Sequence, residues 1–380
     1  MDKYKKIYFF FQHLPPYPGA ASRRAISLLS CFSRSKSECL IYTTSKSVNQ
    51  YFDLKGFEII QLEAPRKGNK SGLWNRLYFE IRNGVKITFD LCFKVSKKES
   101  LLVLSSPSYF TCLITGFFAR IFKIPYVLDI RDIYPEVLVY SGQFSSKSPV
   151  YNLLKGLTIY VYRGAQLITT TNIEIEKTIK NYSNKTNVVY NGFPSSIMNI
   201  SVVKHEAFTI CFHGVIGRFQ EIELLNEIIN SKKLKHIQFI IIGYGPKEDY
   251  LKLGSENIHF LGKMDPTDTL KEITKCHLGL SFRTNDYISR RSFPVKNWEY
   301  LGAGIPVINY PRTEAGDFCE YHDIGLVFDR REVDEMVDKI LTLSTFDEEY
   351  KKFKNNTLKI RENYTREISG SFFYNLIQKL

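Results

Sequence analysis

Ser-Phe-Pro-Val-Lys-Asn-Trp-Glu-Tyr-Leu-Gly-Ala-Gly-Ile-Pro-Val-Ile, residues 292–308, is the most informative stretch of the 380-residue chain. Lys296 and Glu299 stand three apart, so on a helix both face one point. The Gly-Ala-Gly break at 302–304 ends that helix, and Ile305 to Asn309 reads as a short strand. A cation and a carboxylate where a helix meets a sheet suit a ligand with both phosphates and hydroxyls. The cation can neutralise a diphosphate, and the carboxylate can accept hydrogen bonds from a ribose diol. A nucleotide-sugar has that chemistry. The same two charges are equally the mark of a surface ion pair on an ordinary helix.

Working outward, apolar and β-branched runs recur at 6–12, 39–43, 57–62, 101–105, 126–130, 166–169 and 187–190. A second series follows at 209–212, 238–242, 258–261, 278–281, 307–310 and 326–328. Segments of helical periodicity lie between them, such as 22–32, 109–122 and 150–163. Such alternation predicts an α/β protein with two parallel sheets flanked by helices. The two halves open alike. A strand ending at His13 leads to Pro18-Gly19 and a helix; one ending at His213 leads to Gly214-Val-Ile-Gly217 and a helix. Glycine there lets backbone N–H groups approach a phosphate. Turn chemistry at Asn191-Gly192 divides the chain into 1–192, a linker 193–206, a second domain 207–365 and a final helix 366–380 that returns to the first domain.

Composition narrows the class. Hydrophobic residues at 44% and charged residues at 24% fit a globular protein, too long for one core. The seven cysteines are scattered without a Cys-x-x-Cys pair, which predicts reduced thiols, a cytoplasmic address and no metal site. The N-terminal apolar run stops at Pro15-Pro16, and Tyr109 to Phe118 is too short to span a bilayer, so no signal peptide or transmembrane helix is expected. Residues 1–190 hold 27 Lys and Arg against 13 Asp and Glu, whereas residues 191–380 hold 25 against 26. The excess implies an anionic partner for the first half. Nucleic acid is the weakest candidate, because no nucleic-acid motif is present.

Several segments, taken in order, carry a family likeness. They are Pro15-Pro-Tyr-Pro-Gly19 followed by Arg23 and Arg24, Val127-Leu-Asp-Ile-Arg-Asp-Ile-Tyr-Pro-Glu136, and Val189-Tyr-Asn-Gly-Phe193. Gly214-Val-Ile-Gly217, Ile241-Ile-Gly-Tyr-Gly-Pro246, Phe260-Leu-Gly262 and Lys296 to Pro306 complete the set. The chain thereby resembles the family-4 retaining glycosyltransferases of GT-B architecture, two facing Rossmann-like domains. The 129–136 segment is similar to the branch that builds bacterial surface polysaccharides (O-antigen, capsule, exopolysaccharide), including N-acetylfucosamine transferases.

The resemblance implies a UDP- or GDP-sugar donor in the C-terminal domain and a lipid-diphosphate-linked glycan acceptor in the N-terminal domain, with no metal or cofactor. It places Glu299 on the ribose, Lys296 and Arg218 on the diphosphate, Gly214, Gly217 and Gly19 in phosphate loops, and Gly243, Tyr244 and Gly245 beside the nucleoside. Arg291 stands where the family has a glutamate, and Val215 and Gln220 where it often has Arg and Lys, so Arg218, Arg290 and Arg291 are substitute cations. Arg131 stands where the family often has a histidine. Asp132 has either an acceptor-side catalytic role or a helix N-cap or salt-bridge role. His13 and His213 read as packing residues near the site. These departures keep two alternatives open, a catalytically lapsed assembly partner and a nucleotide-sugar epimerase of the same architecture.

Residues 73–95 have helical periodicity, with Trp74, Leu77, Tyr78, Ile81, Val85, Phe89 and Cys92 on one face. Arg76, Arg82, Lys86, Lys94 and Lys98 lie opposite. The apolar stripe is expected on the core, and the basic face on an anionic membrane surface at the inner side of the plasma membrane.

Overall fold

A computed structural model of the protein describes residues 3–17, 19–46, 48, 54, 56–64, 73–96 and 99–380. It divides into two compact units, Met1–Tyr190 with Glu367–Leu380, and Asn191–Arg366.

The first unit holds β1 (Lys6–Phe11), β2 (Glu38–Thr43), β3 (Phe57–Gln61), β4 (Ser100–Ser105), β5 (Tyr126–Ile130), β6 (Leu167–Thr170) and β7 (Thr186–Val188). All pair in parallel, in the order β3-β2-β1-β4-β5-β6-β7. The central strands are buried on both faces, so their runs are largely apolar rather than alternating. The period of two then splits each strand between two cores. Tyr8 and Phe10 face α2 (Leu73–Lys94), α3 (Tyr109–Ile121) and a helix over Pro149–Gly164, while Ile7, Phe9 and Phe11 face α1 (Ala20–Leu29). The C-terminal helix Arg366–Gln378 packs into this second core through Phe373 and Ile377, with Phe373 6.1 Å from Phe32 between ring centroids.

One expectation is reversed. The apolar stripe of α2 faces outward: Tyr78, Ile81, Val85 and Phe89 are all exposed. The inward face is Glu80, Asn83, Gly84, Ile87 and Leu91. Polar chemistry at the start of α3 decides the orientation. Glu80 Oε2 accepts from the free N–H of Phe110, Thr111 Oγ1 donates to the Glu80 carbonyl, and Thr115 Oγ1 donates to that of Gly84. A side chain at Gly84 would meet Ile114 at 3.1 Å, so the helices approach closely there. Counting apolar residues alone misses these bonds.

The second unit holds β8 (Thr209–Val215), β9 (Gln238–Tyr244), β10 (Ile258–Gly262), β11 (Leu278–Phe282), β12 (Val307–Tyr310) and β13 (Gly325–Val327). They form a parallel sheet in the order β10-β9-β8-β11-β12-β13. Helix α10, counted over the whole chain, is Val295–Ala303 and is buried along almost its full length. Residues 193–206, read as a linker, lie against this unit, with Phe193 and Ile197 buried against Gly302 of α10. The sequence order reverses between β1 and β4 and between β8 and β11, the places where parallel sheets open a crevice at their carboxyl ends.

Candidate functional site

In the second unit, Lys296 and Glu299 sit on α10, each only 6% exposed, so the surface ion-pair reading fails. The helix is held rigidly. Ser281 Oγ donates to Asn297 Oδ1 at 2.7 Å, Asn297 Nδ2 to Asn309 Oδ1, and Tyr300 Oη to the carbonyls of Cys211 and Leu280. Trp298, fully buried, stacks on Phe293 at 4.1 Å.

Lys296 Nζ donates to Gln220 Oε1 at 3.0 Å and lies 3.9 Å from the centre of the Phe212 ring. Burial, reinforced by the Arg283 guanidinium, pushes its ammonium down to about 7. Arg283 follows the end of β11, and its Nε is out of solvent without a hydrogen-bond partner. Burial brings that guanidinium down to about 10. Two cations converging in a dry site, one with an unused donor, make a receptor for an anion.

The glycines build the floor. The β8–β9 pairing runs on through Gly214 opposite Gly243 and Val215 opposite Tyr244. Gly243 has φ +155°, and a Cβ there would lie 2.0 Å from the Gly214 carbonyl oxygen. Only glycine fits. At Gly214 (φ +119°) a Cβ would point at Lys296 Cε, 3.7 Å away, so the bare backbone faces the lysine. Gly217 follows in the same loop, and Gly245 N donates to Glu248 Oε1. Tyr244 stands 46% exposed beside Lys263, whose Nζ is 5.0 Å from the ring centre.

Glu299 lies one turn along from Lys296. His213 Nε2 is 3.6 Å from its Oε2, and Arg366 Nη2 is 4.0 Å from its Oε1. Two groups that can carry positive charge, His213 and Arg366, thus flank a buried carboxylate.

Arg218 is exposed and rests against its neighbour Phe219, the ring that Arg283 also overlies at 5.7 Å, and Arg291 lies over Tyr287 at 3.7 Å. Gln220, Arg283 and Arg366 were missed by the sequence reading. The signal for Arg283 was a cation directly after a strand end; Gln220 and Arg366 carry none.

The first unit has its own cluster at the carboxyl ends of β1, β4 and β5. Arg131 N donates to Ser106 Oγ at 2.9 Å, and Arg131 Nε is buried without a partner. Burial raises the Asp132 carboxyl, against the pull of Arg131 and Arg76. Asp132 is not at a helix N-cap; that position of the following helix, Glu136–Tyr140, is Pro135. His13 stacks on Tyr17 at 3.8 Å, and burial with Arg131 and Arg76 pushes its imidazole down to about 4. Arg76 also pairs with Glu80 at 2.8 Å. Gly19 precedes α1 with φ +111°.

Arg24 is a structural residue. It binds the fully buried Asp129 through Nε at 2.9 Å and Nη2 at 2.5 Å, and donates to the Val189 carbonyl. Ser105 and Thr169 complete the carboxylate's partners. Burial alone would raise this carboxyl, but Arg24 and these bonds hold it below the usual range.

Of the basic face, Arg82 pairs with Glu63, and Lys86 Nζ donates to the Gln61 carbonyl at 3.2 Å. The Lys94 side chain, Lys98 and Pro18 lie outside the described residues. Among the described residues no helix is long and apolar enough to cross a membrane, and no group of three His, Cys, Asp or Glu could hold a metal ion.

Residues 210–380 match the family model described as glucosyltransferase 3-like, C-terminal domain. A stretch of 137 residues is 32% identical to chitobiosyldiphosphodolichol beta-mannosyltransferase of Candida glabrata. It covers 34% of this chain and only 29% of that protein. Among solved structures, Anabaena HepE (Alr3699) in complex with UDP aligns over 99% of this chain and 100% of its own, with TM-score 0.71 and 15% identity. Sucrose-phosphate synthase of Thermosynechococcus elongatus aligns over 99% and 98%, with TM-score 0.73 and 11% identity. The chain therefore has the GT-B fold of two Rossmann-like α/β domains, and its C-terminal unit is similar to the C-terminal domain of glucosyltransferase 3-like proteins.

Proposed function

We propose that the protein is a retaining glycosyltransferase. It takes a sugar from a UDP- or GDP-sugar held by the C-terminal unit and moves it to a lipid-linked or glycan acceptor held by the N-terminal unit. The product belongs to a bacterial surface polysaccharide. The observation that carries this reading is the buried Lys296, held by Gln220 next to Arg283, with Glu299 one helical turn away. That set matches a diphosphate joined to a ribose. HepE has been solved with UDP and with UDP-glucose, which supports a nucleotide-sugar donor. The Candida relative is named for a diphosphodolichol-linked substrate, which supports a lipid diphosphate on the acceptor.

Loss of a nucleoside diphosphate builds negative charge on the departing phosphate. Lys296, Arg283 and the backbone at Gly214 are fixed before that charge appears, so they stabilise it without reorganising. Gln220 orients the lysine, Glu299 receives the ribose hydroxyls, and Tyr244 offers a face to the base. In the N-terminal unit, Asp132 and the neutral His13 can accept a hydrogen bond from an acceptor hydroxyl, with Arg131 and Arg76 to meet its phosphate. Reversible docking on the inner face of the plasma membrane belongs to the same reading, since the surplus of cations lies in the acceptor unit.

A donor screen scored by protection against thermal unfolding tests this. One nucleoside diphosphate series should stabilise the protein, and Glu299→Ala should lose about 1.5–3 kcal/mol of its binding. NMR of the product should find the donor's anomeric configuration. Unchanged nucleoside diphosphate affinity in Glu299→Ala, or an inverted product, would overturn the assignment.

A further inference from the structure

We propose that the acceptor is a 2-acetamido sugar whose acetyl methyl enters a small apolar slot beside Asp132 in the first unit. The inference deepens the glycosyltransferase reading and rests on it. A cavity of about 30 Å³ lies between β5, α3 and the helix Pro149–Gly164. Its walls include Cys112 and Leu113 of α3, Ile130 of β5 and Val161 of the later helix. Ser106 and Asp132, just past the ends of β4 and β5, stand at its crevice end. Tyr109 stacks on Tyr134 at 4.7 Å, and its Oη is 2.8 Å from Thr158 Oγ1, so these three walls are fixed. The core around the cavity is tight. Leu102, Leu104 and Ile168 have no exposed surface, whereas Cys112, Leu113, Tyr134 and Tyr162 keep 6–8%. A void in a close-packed interior costs stability, and one of this size has room for about one methyl group.

The polar groups beside the slot select its occupant. Asp132 is half-buried, so it reaches solvent while also lining the cavity. The neighbouring Arg131 keeps its Nε out of solvent with no hydrogen-bond partner. An acetamido group has an N–H that donates, a carbonyl that accepts and a methyl. Asp132 can accept from the first, Arg131 Nε can donate to the second, and the slot takes the third. The position on the ring follows from the phosphate. Arg131 and Arg76 meet the phosphate on carbon 1, so the substituent on the adjacent carbon falls beside residue 132. A hydroxyl there would leave the slot empty and the guanidinium donor unpaired. A bare methyl, as on a deoxy sugar, would fill the slot and satisfy neither polar group.

Calorimetry and saturation-transfer NMR on the full chain test this, with the 1-phosphates of N-acetylglucosamine, N-acetylgalactosamine, glucose and galactose as probes. One acetamido probe should bind at least about tenfold more tightly than its hydroxyl counterpart. Its acetyl methyl should be the most strongly saturated group. Cys112→Leu fills the slot and should cut that preference at least about fivefold. Leu113→Val is one methylene smaller and should take the N-propanoyl analogue that the wild type rejects. Equal binding of acetamido and hydroxyl probes by the wild type, or a methyl saturated no more than the ring protons, would overturn the proposal. So would a stronger preference for fucose 1-phosphate. A Cys112→Leu variant with a raised thermal midpoint and an unchanged preference would reduce the cavity to a packing defect. If that variant does not fold, the wild-type ratio and Leu113→Val still decide. Nucleoside diphosphate binding, in the other unit, separates the two readings. Acetamido preference without it would sink the glycosyltransferase reading and leave the slot standing. Donor binding with transfer to hydroxyl sugars alone would do the reverse.

Discussion

A lysine held at about 7 is half charged near neutral pH, and an arriving diphosphate supplies the missing reason to keep its proton. Nucleoside diphosphate affinity should therefore be highest below about pH 7 and fall by up to about tenfold per pH unit above it. Calorimetry at about pH 8 in buffers of different ionisation enthalpy should detect proton uptake on binding; a flat profile would remove Lys296 from the phosphate. Stability moves the other way. Between about 7 and its ordinary value of 10.5, the unfolded chain keeps a proton on this lysine that the folded, empty protein has shed. Raising the pH through that window therefore favours the folded state. Lys296 and Glu299 were legible because local spacing puts them on one face. Gln220 and Arg283 were not, because they meet Lys296 only after β8, β11 and α10 have packed. Arg218 and Arg291 were read from type and position in sequence; Arg218 shares the Phe219 ring with Arg283, and Arg291 lies over Tyr287.

At the scale of elements, the strands were the most legible part. Strands buried on both faces are apolar at most positions, Asp129 of β5 being matched by Arg24, and that leaves a plain trace in the sequence. Helix α2 shows where the same logic misleads. Its apolar stripe is the stronger signal by count, yet Glu80 sets the orientation by accepting the Phe110 N–H at 3.0 Å where α3 begins. Glu80→Ala leaves that amide unpaired and should cost about 1–2 kcal/mol in denaturant unfolding. Nucleoside diphosphate binding, in the other unit, should not change. A variant as stable as wild type would mean that packing around Gly84 alone orients the helix.

At the scale of the molecule, the two halves differ in charge before any residue is assigned, since the whole surplus of cations falls before residue 191. The connectivity was visible only in part. The final helix was expected on the first domain, and Phe373 with Ile377 fulfils that. What no local pattern announced is how the chain crosses. Phe193 N donates to the Tyr364 carbonyl, and Arg366 N to that of Phe193, so the outgoing and returning strands are hydrogen-bonded side by side. The 191–366 unit is thus a cassette inserted into one loop of its host, entered and left through a single gate. Residues 191–366 produced alone should fold and bind nucleoside diphosphate within about tenfold of the full chain, measured by calorimetry. An unfolded product would show that the cassette borrows its stability from the host. If it folds, grafting a homologous cassette between residues 190 and 367 would transplant donor choice while leaving the acceptor side untouched, and such recombination needs only one pair of neighbouring cuts.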